Sequence, residues 1–136
     1  MQVNAHLHFD GRCEAAFKFY EKCLGGKITV MMTYGETPMA AHTPPEWHKK
    51  IVHATLSLGE YRLTGADVPA DQYEKPKGMA VLLNVNTAGE AERIFHTLAE
   101  NGTVQMPLRE TFWAKRFGML TDQFGTPWLI NCGQSR

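Results

Sequence analysis

Three histidines in the first half of the chain fall at spacings that can bring their rings together. His6 and His8 are two residues apart in "VNAHLHF", and His53 holds a similar place in "IVHATLSLG". Apolar and polar residues alternate in both stretches, which is typical of half-buried β-strands, so each histidine lies on a polar strand face. Imidazoles bind metal ions, transfer protons and pair with anions. The ordinary interpretation is a solvated sheet face on which they hydrogen-bond to neighbouring Thr and Ser.

The other candidates lie in "ETFWAKRFGMLTDQFGTPWLIN", residues 110–131. Glu110 can act as a general base, because burial of a carboxyl group raises its pKa toward neutrality. Its ordinary interpretation is an ion pair with Arg116 or Lys115 in the same segment. Arg116 can instead hold a carboxylate or phosphonate through two parallel hydrogen bonds. Trp113 and Phe112 can form an aromatic wall beside a ligand, or can belong to the core.

The composition narrows the class of protein. The 136 residues carry 14 basic and 14 acidic side chains, so we expect no nucleic-acid partner. No apolar run approaches the ~20 residues of a membrane span, and "MQVNAHLHFDG" lacks the regions of a signal peptide. The three cysteines form no CxxC pair, as expected for reduced thiols. We therefore expect a cytoplasmic protein without a membrane partner.

The chain repeats one pattern of predicted elements: a strand, a helix and three further strands. An offset of 76 residues aligns Gly26 with Gly102, and beyond a long loop an offset of about 66 aligns Leu63 with Leu129. "TAGE" before the second helix predicts a capping box. The sequence predicts an α+β fold of two βαβββ modules, about 1–66 and about 78–133, in a single domain spanning 1–136.

Alternation within the strands predicts which side chains are buried. In the first strand we expect the apolar positions to pack under the helices: Val3, Ala5, Leu7 and Phe9. In the last strand Trp128, Ile130 and Cys132 pack in the same way, which leaves Asn131 on the face that carries the histidines.

Three stretches resemble the vicinal oxygen chelate superfamily, which includes glyoxalase, bleomycin-resistance proteins and extradiol dioxygenases. They are "FDGRCEAAFKFYEKCLGG", "IVHATLSLG" and, most specifically, "ETFWAKRFGMLTDQFGTPWLIN". The chain is most similar to the PhnB-like branch, over nearly its whole length. The resemblance implies a curved mixed or antiparallel sheet around a cavity, helices on the outer face, and a homodimer. That branch is sometimes labelled as a methyltransferase domain, but no Gly-rich turn after a strand offers a site for the usual methyl donor.

The resemblance also bears on metal binding. Metal-dependent members place His or Glu ligands on the first and last strands of each module. The matching positions here hold Ala5 or His6, Arg62, Met79 or Ala80, and Asn131. Three of the four offer no strong ligand, and an amide oxygen binds zinc, nickel or iron more weakly than a carboxylate does. We expect no metal at the usual site and no other cofactor; a rearranged divalent-metal site of His6, His8, His53 and Glu110 is the alternative.

The loop at 35–50 contains three prolines and Trp47, and is longer than most connections. It can act as a lid over a ligand or as a dimer contact. Three functions then fit the sequence. The leading one is binding of a small molecule, an anion among the candidates, with the ligand-binding residues His6, His8, His53, Trp113, Arg116 and Asn131. The alternatives are a metal-dependent lyase, isomerase or dioxygenase-type enzyme, and a structural dimerisation module.

Overall fold

The computed structural model describes residues 1–133, and the predicted order of elements is confirmed. The first repeat contains β1 (Ala5–Phe9), α1 (Cys13–Leu24), β2 (Lys27–Thr33), β3 (Ile51–Leu58) and β4 (Tyr61–Asp67). The second contains β5 (Val81–Val85), α2 (Ala88–Leu98), β6 (Thr103–Arg109), β7 (Arg116–Thr121) and β8 (Pro127–Cys132). The α+β class and the two βαβββ modules are therefore confirmed. The chain divides into two compact units, Met1–Glu74 and Lys75–Arg136, each built from one repeat.

Each unit forms its own open four-stranded sheet. The strand orders are β1-β4-β3-β2 and β5-β8-β7-β6. The pairs β1–β4 and β5–β8 are parallel and the others are antiparallel. The sheets are therefore mixed, and a purely antiparallel sheet is excluded. Parallel strands need a long crossover, and in each unit the helix together with the following strands supplies it.

The strand pairing within each sheet shows which residues of the two repeats correspond. Beyond the long loop, the observed offset between the repeats differs by one residue from the expected one. Ala5 pairs with Leu63 in the first sheet, and the equivalent Val81 pairs with Trp128 in the second. Leu63 therefore corresponds to Trp128 rather than Leu129. The connection between the last two strands also differs: Leu58 and Tyr61 bound it in the first unit, and the longer one in the second unit runs from Thr121 to Pro127.

The core of the first unit lies between α1 and its sheet. The helix buries five side chains against β2, β3 and β4: Cys13, Ala16, Phe17, Tyr20 and Cys23. Phe9 at the end of β1 joins them, its ring centroid 6.1 Å from that of Phe17. The prediction that Val3 and Ala5 pack there is wrong. Val3 precedes β1 and is 92% exposed, and Ala5 is exposed too, because β1 is an edge strand that α1 does not cover along its length.

The core of the second unit confirms the predicted faces of the last strand. Trp128, Ile130 and Cys132 are buried, whereas Leu129 and Asn131 are only half-buried on the opposite face. On the helix side, α2 buries Ala91, Ile94, Phe95 and Leu98. Residue 118 of β7 is a glycine because the Phe95 ring occupies the space of a side chain: a Cβ there would lie 2.6 Å from Phe95 Cε2.

The two helices begin in different ways. Thr87 accepts a hydrogen bond from the Glu90 N–H at 3.1 Å, as the predicted capping box requires. The Glu90 carboxylate, however, accepts from the Asn86 N–H rather than from that of Thr87, so the reciprocal bond lies one residue earlier. In α1 the N-cap residue is Arg12, whose side chain makes no capping bond in the described chain. Its cap comes from Asp67 on β4, whose Oδ1 accepts from the Cys13 N–H at 2.9 Å.

Candidate functional site

The three predicted histidines of the first unit meet on the face of the sheet opposite α1. The His6 and His8 ring centroids are 5.2 Å apart and the planes are perpendicular, at 90°. His53 of β3 stacks on His6, with centroids 6.3 Å apart and an interplanar angle of 15°. The structure therefore brings together His6, His8 and His53, which we call the histidine cluster. Glu110, the fourth member of the alternative metal site, belongs to the second unit.

Threonine hydroxyls orient two of these rings. Thr64 of β4, which pairs with His6 in the parallel register, places its Oγ1 2.7 Å from His6 Nδ1. The same hydroxyl lies 3.3 Å from the Ala5 carbonyl oxygen. It has a single proton, so the tautomer of neutral His6 depends on whether that proton is directed to the Ala5 carbonyl or to Nδ1. Thr55 Oγ1 lies 3.2 Å from His53 Nε2 and positions that ring in a similar way.

The charge of the cluster depends on its surroundings. Partial burial lowers the pKa of His6 below its ordinary value of 6.5, and the neighbouring His8 and His53 lower it further. Neutral imidazole is therefore the favoured form of His6 near pH 7. An anion bound beside the rings favours the charged form and draws a proton onto the cluster.

The flanking positions on this open face are basic. Ser57 of β3 pairs with Arg62 on one side and Lys27 on the other, in the row next to that of Thr55 and Thr64. The remaining paired positions on this face within residues 1–133 are neutral, among them Met32 beside His53 and Ala66 beside His8. The described strands therefore present imidazole, hydroxyl and basic groups together, with no carboxylate in these rows.

The candidates in the second unit lie around β7 and β8. Asn131 donates from Nδ2 to Asn84 Oδ1 on β5 at 3.1 Å, and the two residues are partners in the parallel register. Trp113 lies just before β7 and packs its ring edge-on against Phe117, with centroids 5.2 Å apart. Phe112 contacts Trp113 at 4.7 Å and is 90% exposed, so it does not belong to the core.

The charged candidates of the second unit are Arg116 and Glu110. Arg116 is on the helix side of β7, where its Nε donates to Glu92 on α2 at 3.2 Å and its Nη1 donates to the Lys115 carbonyl at 2.7 Å. The open face carries Asn131 and Phe117 instead. Glu110 is exposed in the segment between β6 and β7. Its burial, on which the general-base hypothesis depended, is not observed.

The positions that would hold the usual metal of the superfamily do not fit one. At the first of them His6 offers an imidazole nitrogen, but Arg62 offers no ligand atom, Met79 and Ala80 precede β5, and the Asn131 amide is engaged with Asn84. Across residues 1–133 no group of three or more His, Cys, Asp or Glu side chains is arranged to hold a metal ion. The histidine cluster alone therefore does not amount to such a group.

The loop at 35–50 is held by contacts of its own. It contains three short 3-10 turns, and His48 Nε2 lies 3.1 Å from the Ala40 carbonyl and 2.9 Å from that of Thr43. Both acceptors are carbonyls, so Nε2 carries the proton. At its start, the Tyr34 hydroxyl donates to the Asp67 carbonyl at 2.7 Å. The loop is therefore fastened to the end of β4.

Two buried aspartates were not singled out from the sequence. Asp67 accepts from three backbone N–H groups, those of Gly11, Cys13 and Ile51. Asp122 accepts from the N–H groups of Phe124 and Thr126 and from the Trp128 indole. The second was within reach of sequence reasoning, because an aspartate before a glycine-containing turn is typical of an Asx turn. The partners of Asp67 lie too far along the chain to be found in that way.

Comparison with known proteins places this chain in a family. The sequence model of the Glyoxalase/Bleomycin resistance protein/Dioxygenase superfamily matches residues 3–130. The chain belongs to this superfamily. It is 31% identical to protein YjdN of Escherichia coli (strain K12), over 96% of this chain and 95% of that protein.

Solved structures resemble the chain over its whole length. Protein PA1353 from Pseudomonas aeruginosa has a TM-score of 0.90 and 44% identity, covering 99% of each chain. The PhnB protein from Bacillus cereus has a TM-score of 0.81 and 26% identity, covering 98% of this chain and 100% of that one. The expected similarity to PhnB-like proteins is therefore confirmed. None of the helices within residues 1–133 is long and apolar enough to cross a membrane.

Proposed function

We propose that this chain is a PhnB-like small-molecule-binding protein that takes an organic anion at the histidine cluster without the usual metal of its superfamily. The observation that carries the proposal is the gathering of three imidazoles on one open sheet face, with ring centroids 5.2 and 6.3 Å apart. Arg62 and Lys27 lie in the next row of the same face, and the neighbouring paired positions described above are not acidic. An anion of a few atoms, such as a carboxylate or phosphonate, complements this charge pattern.

The proposal has a consequence for pH. Because burial and the other two rings hold His6 neutral near pH 7, anion binding takes up a proton. Linkage then requires the affinity for the anion to rise as the pH falls toward the pKa of His6. A neutral molecule of the same size gains nothing from this protonation.

The test is a histidine-resolved NMR titration with methylphosphonate and acetate at pH 6.0 and 7.5, with acetone as the neutral control. We expect both anions to raise the pKa of His6, to shift the ring resonances of His8 and His53, and to bind more tightly at the lower pH. His53→Gln should weaken binding, and His42→Gln, in the exposed part of the 35–50 loop, should leave it unchanged. Equal responses at His42 and at the cluster, or no response at pH 6.0, would overturn the proposal.

A metal-dependent enzyme is the second candidate, because imidazoles are common metal ligands and three of them lie together in the histidine cluster. Thermal unfolding of chelator-treated protein with nickel, zinc, manganese, iron or cobalt separates the two candidates, since a metal that binds only the folded state raises the melting temperature. A rise that is lost in His53→Ala would support the enzyme. The same samples, in sedimentation velocity, test the proposed homodimer.

A further inference from the structure

The segment that leads from each helix into the next strand ends in a two-residue turn that begins with a left-handed residue. In the first unit the turn is Gly25 and Gly26, just before β2, and in the second it is Asn101 and Gly102, just before β6. Gly25 has a φ of 76° and Asn101 has a φ of 58°. Within residues 1–133 no other non-glycine residue has a positive φ. Asparagine tolerates this conformation better than most residues with a side chain, which explains its place after α2.

Packing against the sheet fixes the second residue of this turn as glycine. A Cβ on Gly102 would collide with the Thr121 carbonyl oxygen. Gly26 of the first unit approaches the Ser57 carbonyl oxygen in the same way. Both oxygens belong to the backbone, which cannot turn aside as a flexible side chain can. The fold therefore requires glycine directly after the left-handed residue, and in the second unit that residue is Asn101.

An asparagine followed by glycine has a reaction of its own. The Gly102 nitrogen bonds to Asn101 Cγ, the Cγ–Nδ2 bond breaks, and the proton of that nitrogen leaves with the NH₂ group as ammonia, which closes a succinimide ring. Water then opens the ring at either carbonyl and yields aspartate or isoaspartate, whose backbone runs through the former side chain. Glycine permits the attack because it has no Cβ to obstruct the approach. The other four asparagines precede Ala, Val, Thr and Cys: Asn4, Asn84, Asn86 and Asn131.

Two features of the structure control the rate of this reaction. Asn101 and Gly102 are exposed, so water reaches both of them. The Gly102 N–H, however, donates to the Ala99 carbonyl at 2.9 Å, and this bond must open before the nitrogen can approach Cγ. The bond belongs to an exposed turn after a helix, where local opening costs little free energy. The folded chain therefore reacts more slowly than the unfolded chain, but it does react.

We propose that Asn101 is a self-modification site, at which water alone converts the side chain to isoaspartate and aspartate, and that the product loosens the corner between α2 and β6. Isoaspartate inserts one more backbone carbon directly before Gly102, where the close approach to Thr121 leaves no room for displacement. Either product also adds a carboxylate just beyond the C-terminal end of α2, where the helix dipole disfavours negative charge. The inference concerns the second unit alone and does not depend on the proposed function.

The test follows the tryptic peptide 94–109, which contains Asn101 and no other asparagine. Protein is incubated at pH 8.5 in buffer or in guanidinium chloride and digested at intervals, and fragmentation of the peptide separates a mass gain at Asn101 from one at Gln105. We expect Asn101 to react in both solutions, at least about tenfold faster in guanidinium chloride, because the protecting hydrogen bond is absent there. No gain in the folded protein, or equal gains in the peptides that hold the other asparagines, would overturn the assignment.

Asn101→Gly is the matched variant, because it reproduces Gly25 of the first unit and keeps the left-handed turn. Incubated wild-type protein should lose hydrogen-exchange protection at the paired residues Thr103 and Thr121, and this variant should not. Asn101→Asp carries the charge without the extra backbone carbon and should lose less protection than the isoaspartate product. Unchanged exchange in fully modified protein would overturn the loosening. The mass measurement needs only the wild-type chain, so it decides the assignment even if a variant fails to fold.

Discussion

Replacing Asp67 with asparagine should destabilise the first unit strongly. The side chain is 1% exposed. Its Oδ1 accepts from Gly11 at 3.0 Å and Cys13 at 2.9 Å, and its Oδ2 accepts from Ile51 at 2.9 Å. Asparagine has nearly the same shape, but it carries an NH₂ group in place of one oxygen. At least one buried backbone N–H then faces another donor, whichever way the amide is turned.

The expected loss follows from those three bonds. A buried donor left without a partner costs about 1–3 kcal/mol, and hydrogen bonds to a carboxylate are about twice as strong as those to a neutral acceptor. Together these effects predict a fall of about 2–4 kcal/mol in the free energy of unfolding, a large part of the stability of a typical domain.

The measurement is urea unfolding at pH 7, together with hydrogen exchange of individual amides. Asp71→Asn is the control, since that aspartate is exposed four residues further along the chain and should change stability little. In Asp67→Asn we expect faster exchange at the amides of Ile51 and Cys13. A destabilisation below about 1 kcal/mol with protection of Ile51 intact would refute the account of this carboxylate as the organiser of the unit.

Two further predictions concern the histidine cluster and the second core. The lowered pKa of His6 means that the folded state binds fewer protons than the unfolded state, so its contribution to stability is full above pH 6.5 and is lost as the pH falls through the folded-state pKa. Urea titrations from pH 7.5 to 5 should therefore show a smaller loss in His6→Gln, and equal slopes would contradict this. Gly118→Ala should cost about 1–3 kcal/mol, because its Cβ would lie 2.6 Å from Phe95 and 3.0 Å from Leu108 Cα. Gly89→Ala is the control in the same unfolding measurement, since nothing lies within 4 Å of its added Cβ.

The sequence predicted the elements well because their signals are local. Alternation in "YRLTGAD" and "PWLINC" gave strands with the observed bounds, and glycine after α1 gave its end, with Gly25 at a positive φ of 76°. The histidine cluster could also be predicted from the sequence. Strand period fixed the face of each ring, and the repeat fixed which strands belong together.

Contacts between residues far apart in the sequence could not be predicted in this way. The partner of Arg116 is Glu92, 24 residues earlier on the helix side of the sheet, and no local pattern pointed to it. Asn84 was overlooked because its importance depends on the register that places it beside Asn131, 47 residues away. The longer β7–β8 turn was likewise not predicted, since the similarity of the two repeats is too weak to locate the insertion.

The remote cap of α1 has a consequence for the order in which the chain is made. The helix begins at Cys13, but the carboxylate that accepts from its first N–H group is supplied 54 residues later. During synthesis from the amino terminus, α1 therefore lacks its N-terminal partner until β4 has emerged. The second helix carries its own partner in Thr87, immediately before it. The first repeat therefore completes its fold only after its last strand has been synthesised. The helix of the second repeat can form as soon as its own residues have emerged.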